Sequence, residues 1–317
     1  MSATHCEQLI ERGIAELQSE RYARAAGTLA EALDLAPNDA EILSLLGLAL
    51  LRSGRAEEAA APLQRAVQIE PQETGFVMNL AEWQASSGQL AEAIEGLRTA
   101  LARDPARPRA WDRLGELLLR EGDAVGAVEA FDRMLQAEPR NPAGPAKLCT
   151  ALIAARDWGN LARVAEAWST IDEGSADAWR CRSRAAWEQG LFGVAIDHCE
   201  KALAIRPTDV DERVRAARMC LQAQEFGRAG TLLADAALQS RGHPEVLSAT
   251  AMLRICEGRF EEAESALLES LSVASGNIPA LTLLGRLRNG RFDEAQYWAL
   301  RQAADDTRLP PEWRIGA

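Results

Sequence analysis

Apolar residues recur at helical spacing through residues 110–139, AWDRLGELLLREGDAVGAVEAFDRMLQAEP. Leu114 and Leu118 lie four residues apart on one segment, and Leu135 supplies the apolar face of a second. Spacings of three and four put such residues on one side of a helix and leave the polar ones on the other. Gly122 stops the first segment, since glycine tolerates the left-handed conformation that ends helices. Pro139 stops the second, since proline neither continues a helix nor lets the residue before it stay helical. The stretch predicts two short helices joined by a tight turn.

The same pattern returns every 34 residues. The site of Gly115 is occupied by Gly13, Gly47, Ala81, Cys149, Ser183, Ala217, Ala251 and Gly285, all of them small. The site of Ala127 carries Ala25, Ala59, Ala93, Leu161, Ala195, Ala229 and Ala263. The turn glycine returns as Gly54, Gly88, Gly190 and Gly258, and the closing proline as Pro37, Pro71, Pro105 and Pro207. Small residues at the first two sites let paired helices approach closely. A single hairpin of this kind cannot bury its own apolar face, so consecutive units must stack. The register places units at residues 6–39, 40–73, 74–107, 108–141, 142–175, 176–209, 210–243 and 244–277. A ninth runs from 278 to 305 with a first helix two residues shorter, because Gly290 lies five before Ala295, and a tail covers 306–317. Two units are degenerate. The fifth has Pro142 and Pro145 in its first turn, Arg156 for the turn glycine and Leu161 for alanine; the seventh has Gln224 for glycine and Arg241 for proline. Both are expected to stack like the others.

This 34-residue pattern of small, turn and closing positions resembles the tetratricopeptide repeat (TPR) over nearly the whole chain. The resemblance implies an all-α fold, a single right-handed superhelical solenoid of about nine helix–turn–helix repeats. It implies a non-catalytic scaffold or adaptor that holds a peptide or protein segment in a concave groove lined by the first helix of each repeat. A second resemblance concerns residues 309–314, LPPEWR, which are similar to a segment of bacterial proteins that carry TPR units ahead of a sulfotransferase-like domain. That likeness implies the alternative of a recognition arm of a larger transferase, of sulfotransferase or glycosyltransferase type.

The composition narrows the choices. Hydrophobic residues make up 47% of the 317, enough for a folded chain. A net charge of −12 argues against non-specific binding to nucleic acid, which needs a basic footprint. The first residues, MSATHCEQLIERG, lack the basic and apolar regions of a signal peptide. The longest apolar run, 42–51, is far shorter than the roughly 20 residues of a membrane helix. A cytoplasmic protein without a membrane segment is expected. The six cysteines show no CxxC pairing and read as reduced, mostly buried small residues. No phosphate loop, GxSxG or HExxH motif occurs. His198 beside Cys199 does not make a base and nucleophile, because adjacent helical residues do not face each other. No catalytic residue, metal or cofactor is assigned. Glu57/Glu58 and Glu261/Glu262 open second helices, where acids favour the helix dipole.

The resemblance also implies which residues face the groove: positions 2, 5, 6, 9, 12 and 13 of each repeat. Those positions hold Arg109 and Arg113, Lys147, Arg180 and Arg184, Arg215 and Arg218, more cations than the net charge suggests. A protein or peptide ligand that is acidic or ends in a free carboxylate is one expectation, since arginine pairs carboxylates in a bidentate fashion. A solvated face whose cations pair with Asp112, Glu116, Asp177, Glu188 and Asp211 is the other. Of the five residues with which some TPR domains clamp a carboxylate, only Asn79, Arg109 and Arg113 have counterparts; Ser44 and Leu48 occupy the other two places. A partial anion site is expected there. In the first units Ile10, Ile14, Leu17, Leu45, Leu48 and Leu51 would offer an apolar face to an amphipathic helix or to self-association, unless stacking buries them. Trp111 and Trp179 fit the repeat's aromatic position, whereas Trp158, Trp168 and Trp187 are less forced and could face a groove.

Overall fold

The computed structural model describes residues 2–288. The second half of the ninth unit with Gly290 and Ala295, the segment 309–314 and the tail 306–317 lie outside the described residues. The described residues form helices joined by short turns, with no strand among them. Contacts divide the chain into Met1–Asp157 and Trp158–Ala317, so the division falls between the two helices of the fifth repeat.

The first part holds α1 (Ser2–Gln18), α2 (Tyr22–Leu35), α3 (Ala40–Arg52), α4 (Ala56–Ile69), α5 (Thr74–Ser86), α6 (Leu90–Arg103), α7 (Pro108–Glu121), α8 (Ala124–Ala137) and α9 (Gly144–Ala154). The second holds α10 (Trp158–Ile171), α11 (Ala176–Glu188), α12 (Phe192–Ile205), α13 (Val210–Gln222), α14 (Phe226–Gln239), α15 (Pro244–Cys256), α16 (Phe260–Val273) and α17 (Ile278–Arg288). In the first part α1 packs on α2, α3 on α4, α5 on α6 and α7 on α8, and each even-numbered helix touches the next odd-numbered one. Odd-numbered helices also touch one another, α1 to α3, α3 to α5 and α5 to α7, which leaves them lining one face. The second part repeats the scheme from α10 to α17, with α13 on α15 and α15 on α17.

Two sets of residues create this geometry. The first is the small site and its partner sixteen residues later. A Cβ added to Gly13 would lie 2.7 Å from the Leu29 side chain, and one added to Gly115 2.6 Å from the Phe131 ring. The small side therefore admits a large side chain from the paired helix. At Ser183 the exchange is different: the partner is Cys199, and the Ser183 hydroxyl donates to the Ala195 carbonyl at 2.7 Å.

The second is the turn. Residues 20, 54, 88, 122, 156, 190, 224 and 258 all adopt positive φ, whether they are glycine or not. Glu20 (58°), Arg156 (55°) and Gln224 (62°) take the left-handed conformation that the repeat demands and glycine would adopt freely. At the starts of α3, α11 and α13, side-chain caps satisfy free N–H groups. Asp39 accepts from Glu41 and Ile42, Ser175 from Ala178 and Asp209 from Glu212.

The seventh repeat stacks as expected: residues from α11 to α15, including Ile196, Val214, Leu233 and Leu253, share one core. The fifth is modified at its entry. α9 begins at Gly144, two residues later than the register places it, and the Asn141 side chain accepts from the Ala143 N–H in the added turn.

Candidate functional site

The face of the odd-numbered helices in the first part has an apolar end and a charged end. Ile10, Ile14 and Leu17 on α1 and Leu45, Leu48 and Leu51 on α3 are all half-buried. Their inner sides complete the core, where Leu17, Leu45 and Leu51 pack against Leu46, Leu50 and Leu63, and their outer sides stay open. Stacking has therefore not consumed them.

On α5, α7 and α9 the polar residues bond to each other. Asn79 Nδ2 donates to Ser44 Oγ at 2.9 Å. Lys147 Nζ lies 2.6 Å from Asp112 Oδ1 and 2.8 Å from Glu116 Oε1, and Arg113 Nη1 lies 3.3 Å from Glu116 Oε2. Burial pushes the Glu116 carboxyl up, but Lys147 and Arg113 outweigh it and hold the group below its ordinary range. Arg109 is exposed and makes no ion pair with another described residue. Of the proposed anion trio, then, Asn79 serves Ser44, Arg113 serves Glu116, and Arg109 is open.

The second part carries a denser network. Arg180 pairs with Asp177 at 3.0 Å, with Glu212 at 2.7 Å and with Asp209. Arg215 reaches the same Glu212 carboxylate at 3.1 Å. The Glu212 side chain is 1% exposed, so this is a buried carboxylate held between two guanidinium groups. Arg184 pairs with Glu188 at 2.8 Å and lies 5.6 Å over the Trp158 ring; Arg218 pairs with Glu245 at 2.5 Å. Arg180, Arg184, Arg215 and Arg218 are thus each balanced by an acid of their own chain.

Glu212 was not singled out from the sequence, although the register held the signal. It occupies a site that most repeats fill with an apolar residue, among them the buried Ile42, Ala110, Ala178, Val246 and Ala280. A charge at a core position needs partners, and Arg180 and Arg215 are those partners.

The residues screened for chemistry are otherwise engaged. Cys199 Sγ lies 3.1 Å from Ser183 Oγ and 3.3 Å from Glu212 Oε1, and burial pushes its thiol up to about 12. A thiol so raised is protonated at neutral pH and a poor nucleophile. His198 instead stacks on Trp179, with ring centroids 5.3 Å apart. Trp111 Nε1 donates to the Pro105 carbonyl at 2.9 Å. Trp187 stacks on Phe192 at 4.6 Å, and Trp158 lies beneath Arg184. None of the six cysteines is in a disulfide; Cys149, Cys199 and Cys220 are buried. No described helix is long and apolar enough to cross a membrane.

Two family models described as tetratricopeptide repeat match the chain, one at residues 10–74 and 153–210, the other at 50–117 and 186–253. Together they run over 10–117 and 153–253, more than half of its length. The chain belongs to the tetratricopeptide repeat family. No curated protein matches it. Solved structures similar to this TPR chain include the C-terminal part of a TPR repeat-containing protein from Cytophaga hutchinsonii, with a TM-score of 0.57 and 14% identity over 86% of this chain and 98% of that one. A structure reported in a characterisation of Pseudomonas aeruginosa pilF has a TM-score of 0.53 and 17% identity over 65% of this chain and 94% of that one. A tetratricopeptide repeat protein from Parabacteroides merdae gives 0.50 and 14% over 90% and 99%. At these identities the likeness concerns the fold.

Proposed function

We propose that this TPR chain is a non-catalytic scaffold that holds an amphipathic helical segment of a partner protein against α1, α3, α5 and α7. The observation that carries this is the apolar end of that face. Six aliphatic residues that pack against the core with one side keep the other accessible, and an open cation, Arg109, stands on the same face. A partner helix would lay its apolar stripe on α1 and α3 and turn an acidic residue or a terminal carboxylate toward Arg109. An acidic ligand of Arg180, Arg184, Arg215 or Arg218 would have to displace an acid already bound at each. No such displacement is needed on the apolar end, which is why we place the partner there.

The test compares recovery of partners from native lysate by the wild type, by Leu48→Glu and by Arg109→Glu, each checked for an unchanged helical spectrum. A partner lost by Leu48→Glu and weakened by Arg109→Glu is expected. A partner retained equally by all three would overturn the assignment.

A further inference from the structure

A second cluster lies where α10, α11 and α12 meet. Lys201 Nζ stands 4.4 Å from the centroid of the Trp179 ring, and the Arg182 guanidinium 4.7 Å from it. The His198 ring packs against the same indole, tilted by 46°. Trp179 is itself fixed by its Nε1, which donates to the Glu173 carbonyl at 3.4 Å. One indole thus gathers two cations and an imidazole, and such contacts hold the charges in place without neutralising them.

The register makes this costly for the fold and therefore informative. Arg182 occupies the site of Leu46, Leu114, Leu148 and Leu284, all buried. His198 occupies the site of Ala130 and Leu232, also buried. The first repeat also carries a cation at the Arg182 site, Arg12, but only this repeat adds a histidine at the second site and brings both groups to one ring. Arg182 has partners, Ser169 Oγ at 3.1 Å and Glu166 Oε1 at 3.7 Å, but the second is at the long limit of an ion pair. Lys201 is exposed. His198 and Lys201, three apart on α12, project from the same side of the helix.

We infer that Arg182, His198 and Lys201 around Trp179 form a binding site for a phosphoryl oxyanion, carried as inorganic phosphate or as a phosphorylated serine or threonine of a partner. Arginine offers the planar fork suited to phosphate oxygens, lysine a point charge, and the imidazole a donor whose proton the anion would favour. The local field agrees. The imidazole is pushed below its ordinary range first by burial and then by Arg182 and Lys201, which outweigh the opposing Asp197 and Glu166. An anion seated among these groups would reverse that effect.

The chain has only three histidines, His5, His198 and His243, so ring resonances report the site directly. The experiment is an NMR pH titration of the whole chain in chloride. It is repeated at matched ionic strength with inorganic phosphate, with a phosphoserine peptide and with its unphosphorylated twin. The His198 midpoint should rise by about half a pH unit or more with phosphate and with the phosphopeptide, while His5 and His243 stay put. A rise with the phosphopeptide alone would assign the site to a modified partner, and a rise with phosphate alone to the free ion. Arg182→Leu, which restores the leucine that five other repeats carry there, and Lys201→Gln at an exposed position should both abolish the rise without unfolding the chain. No rise beyond chloride in any arm, or a rise that survives both substitutions, would overturn the site.

Discussion

At the residue scale the repeat is a set of volume and dihedral constraints, and most were legible in the sequence. The small site was visible as Gly13, Gly47 and Gly115, while its large partners Leu29, Leu63 and Phe131 needed the paired helix to be seen. Adding a methyl at Gly115 would collide with Phe131, so Gly115→Ala should lower stability by about 1–2 kcal/mol despite the better helix propensity of alanine. Phe131→Leu in the same chain should recover part of that loss, a coupling that a double-mutant cycle in urea would measure. The turn site behaves differently. Arg156 and Gln224 stood out as departures from glycine, and both hold the left-handed conformation regardless. Arg156→Gly and Gln224→Gly should therefore each stabilise the chain by about 1 kcal/mol. A lowered melting temperature in either would mean that the side chain contributes more than its backbone strain costs.

At the scale of elements, cation-rich odd-numbered helices were predicted but their commitments were not. Ion pairs between repeats join residues about 30 positions apart, such as Lys147 with Asp112 and Arg180 with Glu212, and no local pattern marks them. Burial separates pairs that look alike in sequence. Arg180→Glu would set a second carboxylate against the buried Glu212 and should cost about 3 kcal/mol or more. Arg184→Gln, from a pair in which both side chains are more than a quarter exposed, should cost less than about 1 kcal/mol. Denaturant midpoints of the two variants decide this; equal losses would contradict it.

The same network has a pH signature. Burial pushes the Asp209 carboxyl up, but the Glu212 N–H and Arg180 outweigh it and hold it below its ordinary value. A carboxyl lowered on folding adds stability above its unfolded pKa of about 4 and loses it as pH falls through the folded value. Melting temperature should drop in acid below about pH 4, and Asp209→Asn should flatten that drop. At the other extreme, Cys199, raised to about 12, and Cys220, raised to about 11, should resist thiol reagents at pH 8 until the chain unfolds.

At the scale of the molecule, the sequence supplied the family and the register, because every repeat restates the same stacking rules. It supplied much less about the ligand, since groove residues are free to differ from one repeat to the next. Ile10, Ile14, Leu17, Leu45, Leu48 and Leu51 could have been core or surface from spacing alone; only their partial burial in the folded chain separates them from the buried Leu46 and Leu50 beside them. The departures from the register proved the better guide. Glu212, Arg182 and His198 each stand where most other repeats place an apolar residue, and each belongs to a charged cluster.

The most direct test of the scaffold is recovery of a partner by the wild type beside the Leu48→Glu and Arg109→Glu chains. The account predicts a partner held by the wild type, lost by Leu48→Glu and weakened by Arg109→Glu, with helical content unchanged in all three. The same partner held equally by all three would contradict it.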